Sequence, residues 1–162
     1  MLMIVGLLSL CFNYGQSMSE GAPITACGDM FPSHGFPTQY TSPPYKITFE
    51  PPEYSPGQDI KVSLEKTTKL GFKGFLLMFR DSDDFITGSF KKHGEDEFNS
   101  VACDNPDDTV AITHVSSAVK KKVSFIWKAP DDASGPVTLK WTVVQEYGMY
   151  WVDQQITLNE AE

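Results

Sequence analysis

The sequence is short of what most function classes need. Of its 162 residues, three are cysteine and three are histidine. Lysine and arginine number 13 against 21 aspartates and glutamates, a formal net charge of -8. That balance lacks the cation excess that releases counterions from a nucleic-acid backbone, so no nucleic-acid partner is expected. It also counts against membrane lysis, which draws on a cationic surface. No run of 18 or more apolar residues occurs, so no transmembrane segment is expected. Asn13, Asn99, Asn105 and Asn159 all lack a hydroxyl residue two positions on, which removes N-glycosylation. There is no Gly-x-Ser-x-Gly elbow and no phosphate-cradling glycine loop. His34, His93 and His114 stand too far apart in sequence to form a helical pair of zinc ligands. Acidic clusters at 81–84, 104–108 and 131–132 lack EF-hand spacing and read as solvated turns. No catalytic residue, no metal and no cofactor is therefore expected, and the chain is read as a non-enzyme.

What is present suits a secreted β domain. Hydrophobic residues make up 41% and charged residues 21%, too apolar for a disordered chain. The length suits one domain with its own core. Residues 1–12, MLMIVGLLSLCF, form an apolar run of signal-peptide length followed by small residues at Gly15, Ser17 and Ser19. The expected division is a signal peptide over 1–19, cleaved somewhere from 15 to 19, and a domain over 20–162. The leader has no Lys or Arg, and a buried N-terminal strand or helix is the alternative. Cys11 would leave with the leader. Cys27 and Cys103 remain, and in an oxidising compartment they read as a disulfide closing a 76-residue separation, with two free buried thiols as the alternative.

Beyond the leader the chain is punctuated like β structure. Residues 21–44 hold Pro23, Pro32, Pro37, Pro43 and Pro44, which predicts an extended, irregular arm rather than a helix. Residues 45–49 alternate. Ser55-Pro56-Gly57 has the order of a type II turn. Ile60, Val62 and Leu64 alternate with polar neighbours, as do Val123, Phe125 and Trp127, and again Val137, Leu139, Trp141 and Val143. Residues 72–80 are almost wholly apolar, which predicts a strand buried on both faces, although length alone does not exclude a helix. Shorter strands are expected at 85–90, 109–114 and 149–158, and a charged loop at 91–99. About eight strands with regular turns and no amphipathic helix of three turns predict an all-β, immunoglobulin-like antiparallel sandwich with a Pro-rich N-terminal arm.

Candidate binding residues are few. Lys120, Lys121 and Lys122 form the largest basic run and suit anionic groups such as lipid phosphates or sulfated glycans. A three-lysine run is also what a solvated strand entry looks like. Tyr147, Tyr150 and Trp151 near the last turn suit a carbohydrate platform. Because Tyr150 and Trp151 are adjacent in a strand, one of them is expected to face outward, with core packing as the alternative for either one.

An ordered set of short matches then resembles the reeler (reelin N-terminal) domain family. They are Gly21-Ala22-Pro23 with Ala26-Cys27, Met30, Pro32 and His34-Gly35; Tyr54-Ser55-Pro56-Gly57; Phe72-Lys73-Gly74-Phe75-Leu76-Leu77 with Arg80; Phe90; Cys103; Ala111-Ile112-Thr113-His114; Phe125-Ile126-Trp127 with Ala129-Pro130; and Thr142-Val143-Val144-Gln145 with Tyr150-Trp151-Val152. They span residues 21–158. The resemblance implies a stand-alone secreted, insect-type defence protein (noduler-like), extracellular and in haemolymph if the source is an invertebrate. It implies recognition of microbial surface glycolipid or glycan (lipopolysaccharide, lipoteichoic acid, β-glucan), antibacterial defence and haemocyte nodulation. It carries over Cys27 and Cys103 as a structural pair and no catalytic residue. The alternative is an extracellular matrix or developmental module that binds other proteins and has no immune role.

Overall fold

The computed structural model describes residues 19–103 and 110–162. The leader, Cys11 and the acidic stretch 104–108 lie outside the described residues. Ten strands are present among those described: β1 (Tyr45–Glu50), β2 (Glu53–Tyr54), β3 (Asp59–Lys66), β4 (Gly74–Arg80), β5 (Ser89–Lys92), β6 (Asn99–Val101), β7 (Ala111–Thr113), β8 (Lys122–Lys128), β9 (Val137–Glu146) and β10 (Met149–Glu160). They form a four-stranded sheet in the order β1-β3-β8-β5 and a six-stranded sheet in the order β2-β10-β9-β4-β7-β6.

The alternating segments place one face of each sheet inward. Ile60, Val62 and Leu64 of β3 and Val123, Phe125 and Trp127 of β8 meet Phe75, Leu77 and Phe79 of β4 and Leu139, Trp141 and Val143 of β9 in one cluster. This is the sandwich expected, since each sheet must bury its apolar face against another layer. The Trp127 indole stacks on Phe79 at 4.2 Å between centroids and donates to the Thr87 carbonyl at 3.2 Å, which satisfies its buried N–H. At the turn before β3, the Gln58 N–H donates to the Ser55 carbonyl at 3.0 Å and Gly57 has φ +73°, which the type II turn requires at that position.

Four expectations are corrected. The strand expected at 85–90 lies at Ser89–Lys92, because 81–88 turn and only Ile86 bridges back to Arg80. The charged loop shortens to 93–98, since Lys91 and Lys92 belong to β5 and Asn99 opens β6. The sandwich is not wholly antiparallel: β2 pairs with β10 in parallel through Glu53 and Tyr54. The arm holds one helical turn, α1 (Ala26–Asp29), closed by Met30 in the left-handed conformation.

Three tyrosines are buried, Tyr45 and Tyr54 in this interior and Tyr150 outside it. The Tyr45 hydroxyl lies 2.9 Å from the Gly71 carbonyl and 3.0 Å from Gln145 Oε1, and burial pushes its pKa up to about 12. Burial also raises the pKa of Tyr54, with the Glu160 carboxylate adding to it, and that of Tyr150. A raised pKa means that the native state holds the proton more tightly than the unfolded chain. The associated stability is complete below the ordinary phenol value near 10 and is lost as pH climbs toward 12. Tyr45→Phe should cost about 1 kcal/mol at neutral pH and flatten the loss of stability across that alkaline window. Denaturant midpoints measured at stepped pH check this, and an unchanged slope would assign the alkaline loss to other groups.

Candidate functional site

The arm returns across the outer face of the six-stranded sheet and decides what that face offers. Leu76 and Met78 of β4 point away from the sandwich core. They pack with Ala26, Met30, Val101, Cys103 and Ala111 in a second apolar cluster. Cys27 and Cys103 are bonded, with Cα atoms 5.7 Å apart, which ties α1 to the chain beyond β6. Arg80 Nη2 donates to the Cys27 carbonyl at 2.9 Å, and Thr142 Oγ1 donates to the Met30 carbonyl at 2.9 Å. Further along, the Gln39 N–H donates to the Tyr150 carbonyl and the Tyr150 hydroxyl donates to the Phe36 carbonyl.

Between arm and sheet a cleft of about 230 Å³ remains. Met30, Leu76 and Val144 contribute apolar lining, and Lys73, His114 and Glu146 contribute polar groups. His114 is buried beside Thr113 Oγ1, and Phe75 donates its N–H to His114 Nδ1 at 3.3 Å.

The strand registers bring the connections 67–73, 114–121 and 147–148 to one end of the sandwich. Tyr45 faces Lys66, Glu65 faces Lys122, and Gly74 faces Val144. The first two connections lie side by side. Phe72 and Lys120 exchange backbone hydrogen bonds at 2.9 and 2.7 Å, and the Lys66 N–H donates to the Lys121 carbonyl at 3.0 Å. Gly71 permits this contact, because a β-carbon there would lie 2.4 Å from the Lys120 carbonyl oxygen.

Charge is concentrated at this end. Eight of the 13 basic side chains form ion pairs. The five with no acidic partner among the described residues are Lys66, Lys69, Lys73, Lys120 and Lys121, all in or beside these two loops. Segments 66–73 (KTTKLGFK) and 115–122 (VSSAVKKK) contain no acid. A shallow groove separates Lys120–Lys122 from Glu95, Asp96 and Glu97.

The family model described as "Reeler domain" matches residues 25–161. The chain belongs to the Reeler domain family. It is 34% identical over 143 residues to Defense protein l(2)34Fc of Drosophila melanogaster, covering 85% of this chain and 84% of that protein. It is 31% identical over 149 residues to Ferric-chelate reductase 1 of Bos taurus, covering 90% of this chain but 24% of the reductase. The crystal structure of the human F-spondin reeler domain aligns with a TM-score of 0.64 at 22% identity, over 78% of this chain and 94% of that one. That likeness shows a shared fold.

Within this Reeler domain the expected binding residues separate. Cys27 and Cys103 form the disulfide, so the free-thiol alternative is excluded. Tyr150 and Trp151 are both buried, at 0% and 4% exposure, against the expectation that one faces out. The alternation itself holds: Trp151 enters the sandwich core. Tyr150 turns to the other face, where Phe31 and His34 of the arm meet its ring edge-on. Tyr147 is the partly exposed aromatic of the three, and its ring stacks on His34.

The lysine run divides too. Lys120 Nζ donates to the carbonyls of Lys73, Ser116 and Ala118 at 3.0, 2.6 and 2.8 Å, and burial lowers its pKa. Lys122 pairs with Glu65 at 3.5 Å, while Lys121 is exposed with no acidic partner among the described residues. Lys69 and Lys73 were missed as candidates. Their signal was an acid-free stretch in an acidic chain. No group of three or more His, Cys, Asp or Glu placed to hold a metal ion occurs among the described residues.

Two outcomes are expected. Cys27→Ser should lower stability by about 4 kcal/mol and make the arm a preferred cleavage site, measurable by denaturation and limited proteolysis. Lys120→Ala should cost about 2 kcal/mol by freeing three carbonyls, whereas Lys121→Ala should change stability by less than about 0.5 kcal/mol. Equal thermal midpoints for the two variants would show that Lys120 is not structural.

Proposed function

We propose that this chain is a secreted, extracellular defence protein that acts by binding rather than catalysis. Residues 1–19 serve as the signal peptide and 20–162 as the working domain. Its target is an anionic component of a microbial surface, such as lipopolysaccharide or lipoteichoic acid, and capture promotes antibacterial defence or haemocyte nodulation. The observation that carries this reading is the gathering, at one end of a chain of net charge -8, of the five lysines that have no acidic partner among the described residues. A local cationic field on an acidic body concentrates anionic ligands at that end while keeping the protein soluble. The defence name of the Drosophila relative supports the same reading. The contact residues proposed are Lys69, Lys73 and Lys121, with Lys122 at the margin. Lys120, Tyr150 and Trp151 serve as structure beneath them.

The full chain, expressed in animal cells and recovered from the medium, should begin between residues 16 and 20 and bind whole bacteria. Binding should weaken as salt is raised, since exposed charges are screened within about 10 Å at 0.1 M. Lys69→Glu with Lys121→Glu should abolish most of it. Binding to matrix or haemocyte proteins with none to Gram-negative bacteria, Gram-positive bacteria or yeast would move the function to the protein-binding alternative. The exposed Phe36, Tyr147 and Met149 beside the β9–β10 turn favour that alternative.

A further inference from the structure

Each of the two basic loops carries an exposed aliphatic side chain. Leu70 is 59% exposed and Val119 is 63% exposed. The loops that carry them adjoin: a β-carbon on Gly71, the residue after Leu70, would lie 2.6 Å from Val119 Cγ1. Single exposed aliphatics are ordinary. Two on adjoining loops that also carry Lys69, Lys73 and Lys121, with no acid in either segment, are a different arrangement. The loops are also held in place. The Phe72–Lys120 backbone pair, the Lys66–Lys121 backbone bond and the three carbonyls gathered by Lys120 Nζ fix both of them. Fixed loops present the two side chains without an ordering cost at each encounter.

We propose that Leu70 and Val119 insert into the interfacial layer of a lipid bilayer with anionic headgroups, while Lys69, Lys73 and Lys121 meet the lipid phosphates around them. This rests on the proposed function and gives its anionic target a lipid phase. The chemistry is complementary at both depths. Aliphatic groups gain about fourfold in binding for each methylene buried, and each lysine near an anionic leaflet gains about fivefold. Long lysine side chains also let the ammonium groups stay at phosphate level while the stems follow the apolar residues inward. Two side chains make a reversible contact rather than an anchor. Of the acidic loops, 81–84 and 131–132 lie at the opposite end of the strands, away from the membrane in this orientation, while Glu95, Asp96 and Glu97 border the groove beside Val119 and Lys120–Lys122, with Glu97 paired to Lys92.

The test uses the mature protein and vesicles of phosphatidylcholine alone or mixed with phosphatidylglycerol. Binding to the mixed vesicles is expected, with little to phosphatidylcholine alone. Leu70→Ser with Val119→Ser should weaken it about tenfold or more with an unchanged thermal midpoint, because both side chains are on the surface. A Leu70→Trp reporter should shift its emission to the blue on vesicle binding and be quenched by brominated lipid. Unchanged vesicle affinity for the double-serine variant, or a reporter that stays in water, would overturn the insertion while leaving electrostatic capture intact. Binding to bacteria or soluble glycans without vesicle binding would overturn it too. Loss of bacterial binding in wild-type protein would instead remove the proposed function.

Discussion

The structure depends on one constraint: β4 must be covered on both sides. Its residues Phe75 to Phe79 are all buried, which in an antiparallel sandwich leaves the outward half of the strand without a partner sheet. The arm supplies that partner. Pro-rich chain cannot form a strand of its own across a sheet, because each proline removes a donor. Attachment therefore falls to a few discrete ties. Among them are the Cys27–Cys103 bond, the Arg80 contact with the Cys27 carbonyl, the Thr142 contact with the Met30 carbonyl, and the Gln39 and Phe36 contacts with Tyr150. The disulfide acts here as the fastener of a layer that has little backbone pairing to hold it.

Covering that face limits where anything else can bind. The outward surface of the four-stranded sheet is occupied by ion pairs, among them Lys46–Glu65–Lys122, Lys61–Glu50 and Lys91–Asp59. Such exposed pairs add little to stability, but they leave that surface near neutral. What remains for recognition is the cleft beside the arm and the loop ends, which is where rigid β scaffolds commonly carry function.

Much of this was legible in the sequence, where the signal was local. The period-2 patterns of β3, β8 and β9 placed Ile60, Phe125 and Trp141 inward, and the unbroken apolar run of β4 announced burial on both faces. The failures share a cause. One of Tyr150 and Trp151 was expected to face solvent because alternation alone cannot know that Phe31 and Phe36 lie more than 110 residues away in sequence and cover Tyr150. Lys120 looked solvated because the Lys73 carbonyl that it binds belongs to another loop, 47 residues earlier. β6 has three residues, too few for a pattern, and exists because β7 offers it an edge. The candidate site changed for the same reason. KTTKLGFK and VSSAVKKK are each unremarkable, and only the register of β3 against β8 makes them neighbours.

The charge distribution carries the functional argument furthest. Along the strand axis, one end gathers the five lysines that have no acidic partner among the described residues, with Glu95, Asp96 and Glu97 across a groove from three of the basic residues there, and the opposite end holds Asp81, Asp83, Asp131 and Asp132 in its connecting loops. A molecule polarised in this way is turned by a negatively charged surface before it touches, so the lysine end arrives first even though the whole chain is acidic. Net charge alone counts weakly against such a surface. In the proposed binding mode the arrangement outweighs the total: the lysine end would meet the surface, and the acidic loops at the opposite end would face away from it. An acidic protein can thus be a specific binder of anionic surfaces, provided that the fold separates its charges as these loops do.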